Sequence, residues 1–290
     1  MGFVGVMALN ACSSSNGGAP TDAATDTPVG VKVTVSGVAA PHPLTAPVGM
    51  NPATDFSMLA VAVVDPVAVL ADPNATPLAG GALDTSAGNC GTSGCAWHFD
   101  NVDISKISIG LVGVVDDTRT PAASRLWIKT GTGAGSIDFI NMIIANPMPI
   151  TGVPLFVVSK ATEARLALGA AAALSDPAIV AGSLETRGFM IGTVLSKRTD
   201  SPPTPVEGAT ITTADTAMRL AILYPNATFN GFGAATASHG MFLAIPKSAT
   251  SSAVVTDWTV TGPSGGSLTW PTYKAGTSPG TAFVLLMPAN

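Results

Sequence analysis

The sequence predicts an all-β protein built as two β-sandwiches joined by a short α-helical connector, and three observations carry this. Only 11% of the 290 residues are charged, against about 25% in an average soluble domain. Gly, Pro, Ala, Thr and Val fill the gap, a mixture suited to short strands and frequent turns and unlike the polar, highly charged composition of disorder. Apolar and polar residues alternate without a break along Val31-Lys32-Val33-Thr34-Val35-Ser36, the period of a half-buried strand. Finally, one strongly helical stretch, 162–174, separates two regions of turn-punctuated apolar runs. The length suits about two domains, which gives a tether over 1–28, a first sandwich over 29–158, a helical connector over 159–187 and a second sandwich over 188–290.

The chain opens with an apolar segment from Phe3 to Leu9, then Leu9-Asn10-Ala11-Cys12 and a tail of Ser, Gly, Ala, Thr and Pro. This resembles a bacterial lipoprotein signal, which implies cleavage before Cys12, acylation of its thiol and a membrane anchor worth about 0.8 kcal/mol per buried methylene. No Lys or Arg precedes Lys32, so the basic start of a secretory signal is expected upstream. Ser13 after the lipid-bearing cysteine fits sorting to the outer membrane in that pattern.

In the first sandwich, strands are expected at Val31–Ser36, Phe56–Val64, Trp97–Val102, Ile107–Val115, Arg125–Lys129 and Pro154–Val158. Pro77-Leu78-Ala79-Gly80-Gly81-Ala82-Leu83 parallels Pro205-Val206-Glu207-Gly208-Ala209-Thr210-Ile211 with one residue inserted, which suggests a weak internal duplication. The uncharged run Phe139–Ser159 is interrupted by Pro147, Pro149, Gly152 and Pro154 and reads as strands and turns, not a membrane span. Cys90 and Cys95 flank a glycine-containing loop, and an even pair in an exported chain reads as a disulfide. The rival reading adds His98 for a metal site, but zinc requires a fourth ligand or a water with a base, and none is near in sequence.

The connector holds Thr162-Glu163-Ala164-Arg165-Leu166-Ala167-Leu168 followed by an alanine run to Leu174. Ala and Leu are strong helix formers, Ser159 or Thr162 can cap the start, and Asp176-Pro177 ends it. Leu166, Ala170 and Leu174 form a narrow stripe that either docks against the sandwiches or meets a partner.

The second sandwich is organised around 188–246. An apolar strand through Phe189, Met190, Ile191 and Val194 leads into a proline-rich turn and Pro205-Val206-Glu207-Gly208-Ala209-Thr210-Ile211. Thr236-Ala237-Ser238-His239-Gly240 then opens into Met241-Phe242-Leu243-Ala244-Ile245-Pro246. In that strand, 242 and 244 face one way and 241, 243 and 245 the other, as in a strand buried on both sides. The pattern G-x-V, P-V-x-G-A-x-I, T-x-x-x-G-x-F-x-x-x-P over residues 188–262 resembles the carboxypeptidase regulatory-like family. The resemblance implies a transthyretin-like or Ig-like Greek-key sandwich and a non-catalytic accessory role in scaffolding, adhesion or presentation. Ala237 stands where that family often has an Asp closing the turn, a role Ser238 can take.

Patterns that could carry chemistry are better read as turns. Gly262-Pro263-Ser264-Gly265-Gly266 fits G-x-S-x-G, which has mechanical meaning only between a strand and a helix, and here β-type segments flank it. His42, His98 and His239 are isolated in sequence, and each is expected to be a turn or surface residue and not a base or ligand. Gly131-Thr132-Gly133-Ala134-Gly135-Ser136 lacks the third glycine and the helix of a dinucleotide site. Asp72-Pro73-Asn74 begins like a calcium loop, but Pro77 and Leu83 occupy its glycine and glutamate positions. Asp100, Asp103, Asp116 and Asp117 lie near strand ends, where weak calcium binding is the alternative, and are expected to be solvated loop carboxylates.

A net charge of −5 with 13 scattered basic residues gives no footprint for nucleic acid or anionic lipid, and no motif calls for a small-molecule cofactor. Trp258 alternates with Val260 and is expected in the core, whereas Trp270, Tyr273 and Tyr224 are candidates for an aromatic ligand platform. The expected function is therefore a non-catalytic envelope lipoprotein, exported and lipid-anchored, acting as a structural or protein-interaction module. The alternative is a carbohydrate- or polymer-binding accessory protein, with a surface polysaccharide as partner.

Overall fold

A computed structural model describes residues 30–43, 51–71, 75–107, 109–197, 199–200, 202–229, 231–248 and 252–290. By contacts the chain divides into Met1–Gly30 and Val31–Asn290, and all described secondary structure lies in the second unit. Cys12 and residues 72–74 of the calcium-like loop lie outside the described residues.

The chain is all-β, with short helices between strands. β1 (Lys32–Pro41) precedes α1 (Pro52–Asp55), whose start is capped by Asn51, the side chain accepting from the Ala53 N–H at 3.2 Å, and primed by a proline in the first turn. β2 (Ala60–Val64), α2 (Pro66–Ala71), β3 (Ala79–Ala82), β4 (Cys90–Gly91), β5 (Gly94–Asp103), β6 (Gly110–Asp116) and β7 (Trp127–Ile128) follow. Then come β8 (Thr130–Ser136), α3 (Ile137–Ala145), β9 (Ile150–Ser159), α4 (Lys160–Leu174) and α5 (Ser183–Arg187). The chain continues through β10 (Phe189–Lys197), β11 (Thr210–Thr213), β12 (Leu220–Pro225), β13 (Phe232–Gly233), β14 (Met241–Pro246), β15 (Val254–Thr261), β16 (Tyr273–Thr277) and β17 (Ala282–Ala289).

Each strand expected in the first half has a counterpart, but some are shorter than expected: β2 begins only at Ala60, Phe56 closing α1 instead, and β7 keeps two residues of 125–129. The run 139–159 is not all strands and turns either: its first part lies in helix α3. Ser136 caps that helix by accepting from the Phe139 N–H at 3.3 Å, and Asp138 adds a favourable charge in the first turn. Pro147 and Pro149 act only after the helix has ended. β8 was hidden by its glycines, which leave no apolar alternation to read.

Two sandwich cores are present, yet they do not belong to separable domains. The strands form a five-stranded sheet β4-β5-β1-β9-β7, a nine-stranded sheet β13-β12-β14-β10-β17-β8-β6-β2-β3, and a three-stranded sheet β11-β15-β16. The large sheet takes β2, β3, β6 and β8 from 29–158 and its other five strands from 188–290, so the expected boundary is crossed by a continuous ladder. One row of paired residues runs Ala79, Val63, Gly113, Thr132, Val284, Ile191, Leu243, Leu223. Directly paired residues share a face, so this row marks one face of the whole sheet, covered by a packed layer.

That layer changes along the row. Over the first half it is the five-stranded sheet, with Val35, Leu155 and Val157 meeting Val61, Val63 and Leu111. Over the second half it is α4 and α5, where Leu166, Ala167, Ala170 and Leu184 pack with Phe189, Ile191, Leu243 and Val284. Ile128 and Val158, at one end of the five-stranded sheet, join this same cluster. The connector helix therefore docks on both halves. On the opposite face of the second half, Met190, Val194, Phe242, Ala244 and Met287 pack against Trp258, Val260 and Ile211 of the small sheet. Each such large side chain, fully buried, contributes about 1.5–3 kcal/mol. β14 is buried at all six positions, as its two-faced pattern predicts.

The proposed duplication is not reflected in the topology. β3 is the edge of the nine-stranded sheet and pairs with β2, whereas β11 belongs to the small sheet and pairs with β15. β5 and β14 likewise sit in different sheets.

Candidate functional site

The segments carrying the family-like pattern converge on one knot. The Val206 N–H donates to Val194 O at 2.9 Å, the Val194 N–H to Gly240 O at 2.8 Å, and the Gly208 N–H to Thr236 O at 2.7 Å. The Thr236 hydroxyl donates to Val206 O at 2.8 Å and accepts from the Ala209 N–H at 2.9 Å. Gly240 has φ +67°, and a Cβ there would lie 2.5 Å from Val194 O and 3.0 Å from Val206 N. Glycine is therefore required both by conformation and by the closeness of backbone. The Phe242 ring lies over Gly192, its cross-strand partner. The turn before β14 is closed by the Gly240 N–H donating to Ala237 O at 2.8 Å, while Ser238 is exposed. The knot is architectural: its hydrogen bonds join backbone groups and the Thr236 hydroxyl, and the ionisable side chain in its turn, Glu207, is exposed.

The other candidates are similarly absorbed. His239 accepts from the Met241 N–H through Nδ1 at 3.0 Å, which leaves Nε2 to donate to Asn226 O at 3.2 Å, and its ring stacks on Phe229. His42 departs from the expected surface position: it is 1% exposed, and burial pushes its imidazole down from 6.5 to about 3, with its ring meeting Phe156 edge-on. Ser264 is exposed in a turn where the Gly266 N–H donates to Pro263 O at 3.1 Å. Thr130–Ser136 is a strand, not a phosphate loop.

Among the aspartates, Asp100 accepts from the Thr34 hydroxyl at 2.7 Å and Asp116 from the Thr118 N–H at 3.1 Å. The side-chain and backbone hydrogen bonds from Ser105 hold the Asp103 carboxyl below the usual carboxylate range. Asp117 departs from the solvated reading: it is buried and accepts from the N–H groups of Leu126 at 2.9 Å and Trp127 at 3.2 Å and from the Thr120 hydroxyl, closing the loop before β7. No group of three or more His, Cys, Asp or Glu placed to hold a metal occurs among the described residues.

Cys90 and Cys95 form a disulfide between directly opposed positions of β4 and β5.

The aromatic platform does not form as expected. Tyr224 belongs to the second core, where its hydroxyl accepts from the Ile211 N–H at 2.7 Å and donates to Ile211 O at 3.3 Å, and burial pushes its phenol above the ordinary range. Trp258 is fully buried, as expected. Trp270 is half-buried, with its indole N–H donating to Leu195 O at 3.0 Å, and the Tyr273 hydroxyl donates to Pro288 O. A shallow depression beside Tyr273 is lined by Thr199, Pro271, Pro288, Ala289 and Asn290. Polar residues that sequence reasoning missed include Glu163. It is buried, and its carboxylate accepts from the N–H groups of Gly182 at 2.7 Å and Leu184 at 2.8 Å. An acidic residue in a first helical turn gave no hint of this second use, capping α5.

No helix of the described residues is long and apolar enough to cross a membrane. No family model matches the chain. No curated protein matches it either. Solved structures similar to it include the shaft pilin SpaA from Lactobacillus rhamnosus GG, at 10% identity and a TM-score of 0.24, covering 89% of this chain and 98% of that one. Two mutants of the same pilin give TM-scores of 0.23 and 0.22, each at 10% identity and 98% of the pilin chain, covering 89% and 90% of this one. Superpositions at this level transfer nothing to the chain's function.

Proposed function

We propose that this chain is an exported, lipid-anchored protein of the bacterial cell envelope whose β-body is a non-catalytic structural or protein-interaction module. The disulfide carries the reading, because such bonds form and persist in oxidising compartments outside the cytosol. The Phe3–Cys12 segment supplies the anchor, with Cys12 the lipidated residue and the outer membrane the destination. The family-like knot of Val194, Val206, Thr236 and Gly240 supports an accessory module of the carboxypeptidase regulatory-like kind, and its polar groups are spent on turns. Metabolic labelling with an alkyne fatty acid tests the anchor: the native chain takes up label and partitions into detergent, and Cys12→Ala does neither. Equal labelling of both chains contradicts it.

The second reading, binding of a carbohydrate or other polymer, is favoured by the depression beside Tyr273 and keeps Trp270 and Tyr273 but not Tyr224. Glycan-array binding that disappears in Trp270→Ala would place it first, and an array without binding removes it.

A further inference from the structure

The Cys90–Cys95 bridge joins a firmly held strand to a loosely held one. Cys95 is fully buried, and β5 is laddered to β1 along its length, ending in the pair Ala39 with Cys95. At Gly94 (φ +130°) an added Cβ would lie 2.2 Å from Ala39 O, so this side of the hairpin is pressed onto β1. β4 is two residues long and, among the described residues, is the outer edge of its sheet. Cys90 is half-buried and an added Cβ on Gly91 would meet nothing within 4 Å. Beyond its two register pairs, β4 is held by the Ala96 N–H donating to Asn89 O at 2.7 Å, by the short bridge of Ala87 with Cys90, and by Cys90 resting on the margin of the first core. The segment before it is folded on itself, Asp84 accepting from the Ser86 N–H and the Asn89 amide.

We propose that this bridge is a redox latch on the edge of the five-stranded sheet. Oxidised, it clamps β4 over the start of β5; reduced by a dithiol, it releases residues 84–93, exposes the outer backbone groups at the start of β5 and leaves the rest of the sheet intact. The incoming thiolate attacks the sulfur of Cys90, the less buried of the two residues, forming a mixed disulfide and expelling Cys95, which takes up a proton. The second thiol of the reductant then displaces Cys90, giving two protein thiols and one oxidised dithiol. The bond closes a loop so short that the hairpin itself supplies most of the closure, so its loss is felt locally.

Hydrogen exchange on the whole chain, before and after dithiothreitol, tests this, with Cys90→Ser measured alongside. Peptides covering 84–96 are expected to exchange at least about tenfold faster after reduction, with β1 and β9 unchanged, and Cys90→Ser is expected to match the reduced state without reductant. Unchanged exchange over 84–96, or acceleration that spreads through β1 and β9, would overturn the latch.

Discussion

Val284, in the last strand of the chain, lies directly beside Thr132 in the parallel pairing of β17 with β8. The Thr132 hydroxyl in turn accepts from the Phe156 N–H at 3.2 Å, tying the large sheet to the five-stranded one. Through these contacts the C-terminal strand completes the sheet of the N-terminal half, and an element expected to end one domain becomes the seam between two cores.

The seam predicts one unfolding event. Urea unfolding followed by hydrogen exchange in β1 and β9, and separately in β14 and β15, should give coincident midpoints, as a two-state transition requires. Residues 29–158 alone should fail to fold, because β8 is left as an open edge. Two separated transitions would mean that the halves fold independently.

Gly240 and Gly152 both have positive φ, +67° and +71°, but only Gly240 is crowded; nothing lies within 4 Å of a Cβ on Gly152. Gly152→Ala should lower stability by about 1 kcal/mol from conformation alone. Gly240→Ala should lower it by about 3 kcal/mol or more, since backbone must also move. Denaturant midpoints of the two variants check the order.

Thr236→Val keeps the shape and removes the hydroxyl that serves Val206 O and Ala209 N. The buried Ala209 N–H and the partly buried Val206 O then lose a partner, at about 1–3 kcal/mol for the buried group and less for the other. A shift in urea midpoint below about 0.5 kcal/mol would show that water or the backbone replaces them.

His42 gives a pH dependence with a definite sign. Its folded pKa lies below the unfolded value, so above about pH 6.5 it is neutral in both states and contributes no slope. As pH falls from there toward about 3, the unfolded chain binds a proton that the native one refuses, and stability declines by up to about 1.4 kcal/mol per pH unit. Carboxylates add their own slopes, so the test is the difference between the native chain and His42→Phe. The variant should be flatter between pH 6.5 and 4; parallel curves would show that His42 protonates without penalty.

Much of this architecture was legible because glycine, proline and threonine act through local backbone geometry. Gly192, Val206, Thr236 and Gly240 stand in the pattern that resembles the carboxypeptidase regulatory-like family, and the structure brings them together. The alternation of Met241 to Ile245 correctly gave a strand with two buried faces. What stayed hidden depends on partners far along the chain. β8 is a strand because β6 and β17 flank it, and its own Thr-Gly-Thr-Gly run carries no signal. Tyr224 looked available because nothing local shows that Ile211 takes its hydroxyl, and Asp117 and Glu163 look like any surface carboxylate until the loop and helix they cap are folded around them. The disulfide was readable because its two cysteines are close in sequence; its loose and firm sides were not, since they depend on β1.

We propose that this β-body is displayed from a lipid-bearing cysteine, Cys12. Intact-mass and N-terminal peptide analysis of the protein taken from native envelopes tests it most directly. The predicted result is a mature chain whose first residue is Cys12 with its sulfur acylated and with Cys90 and Cys95 joined. A mature chain retaining an unmodified Met1 would contradict it.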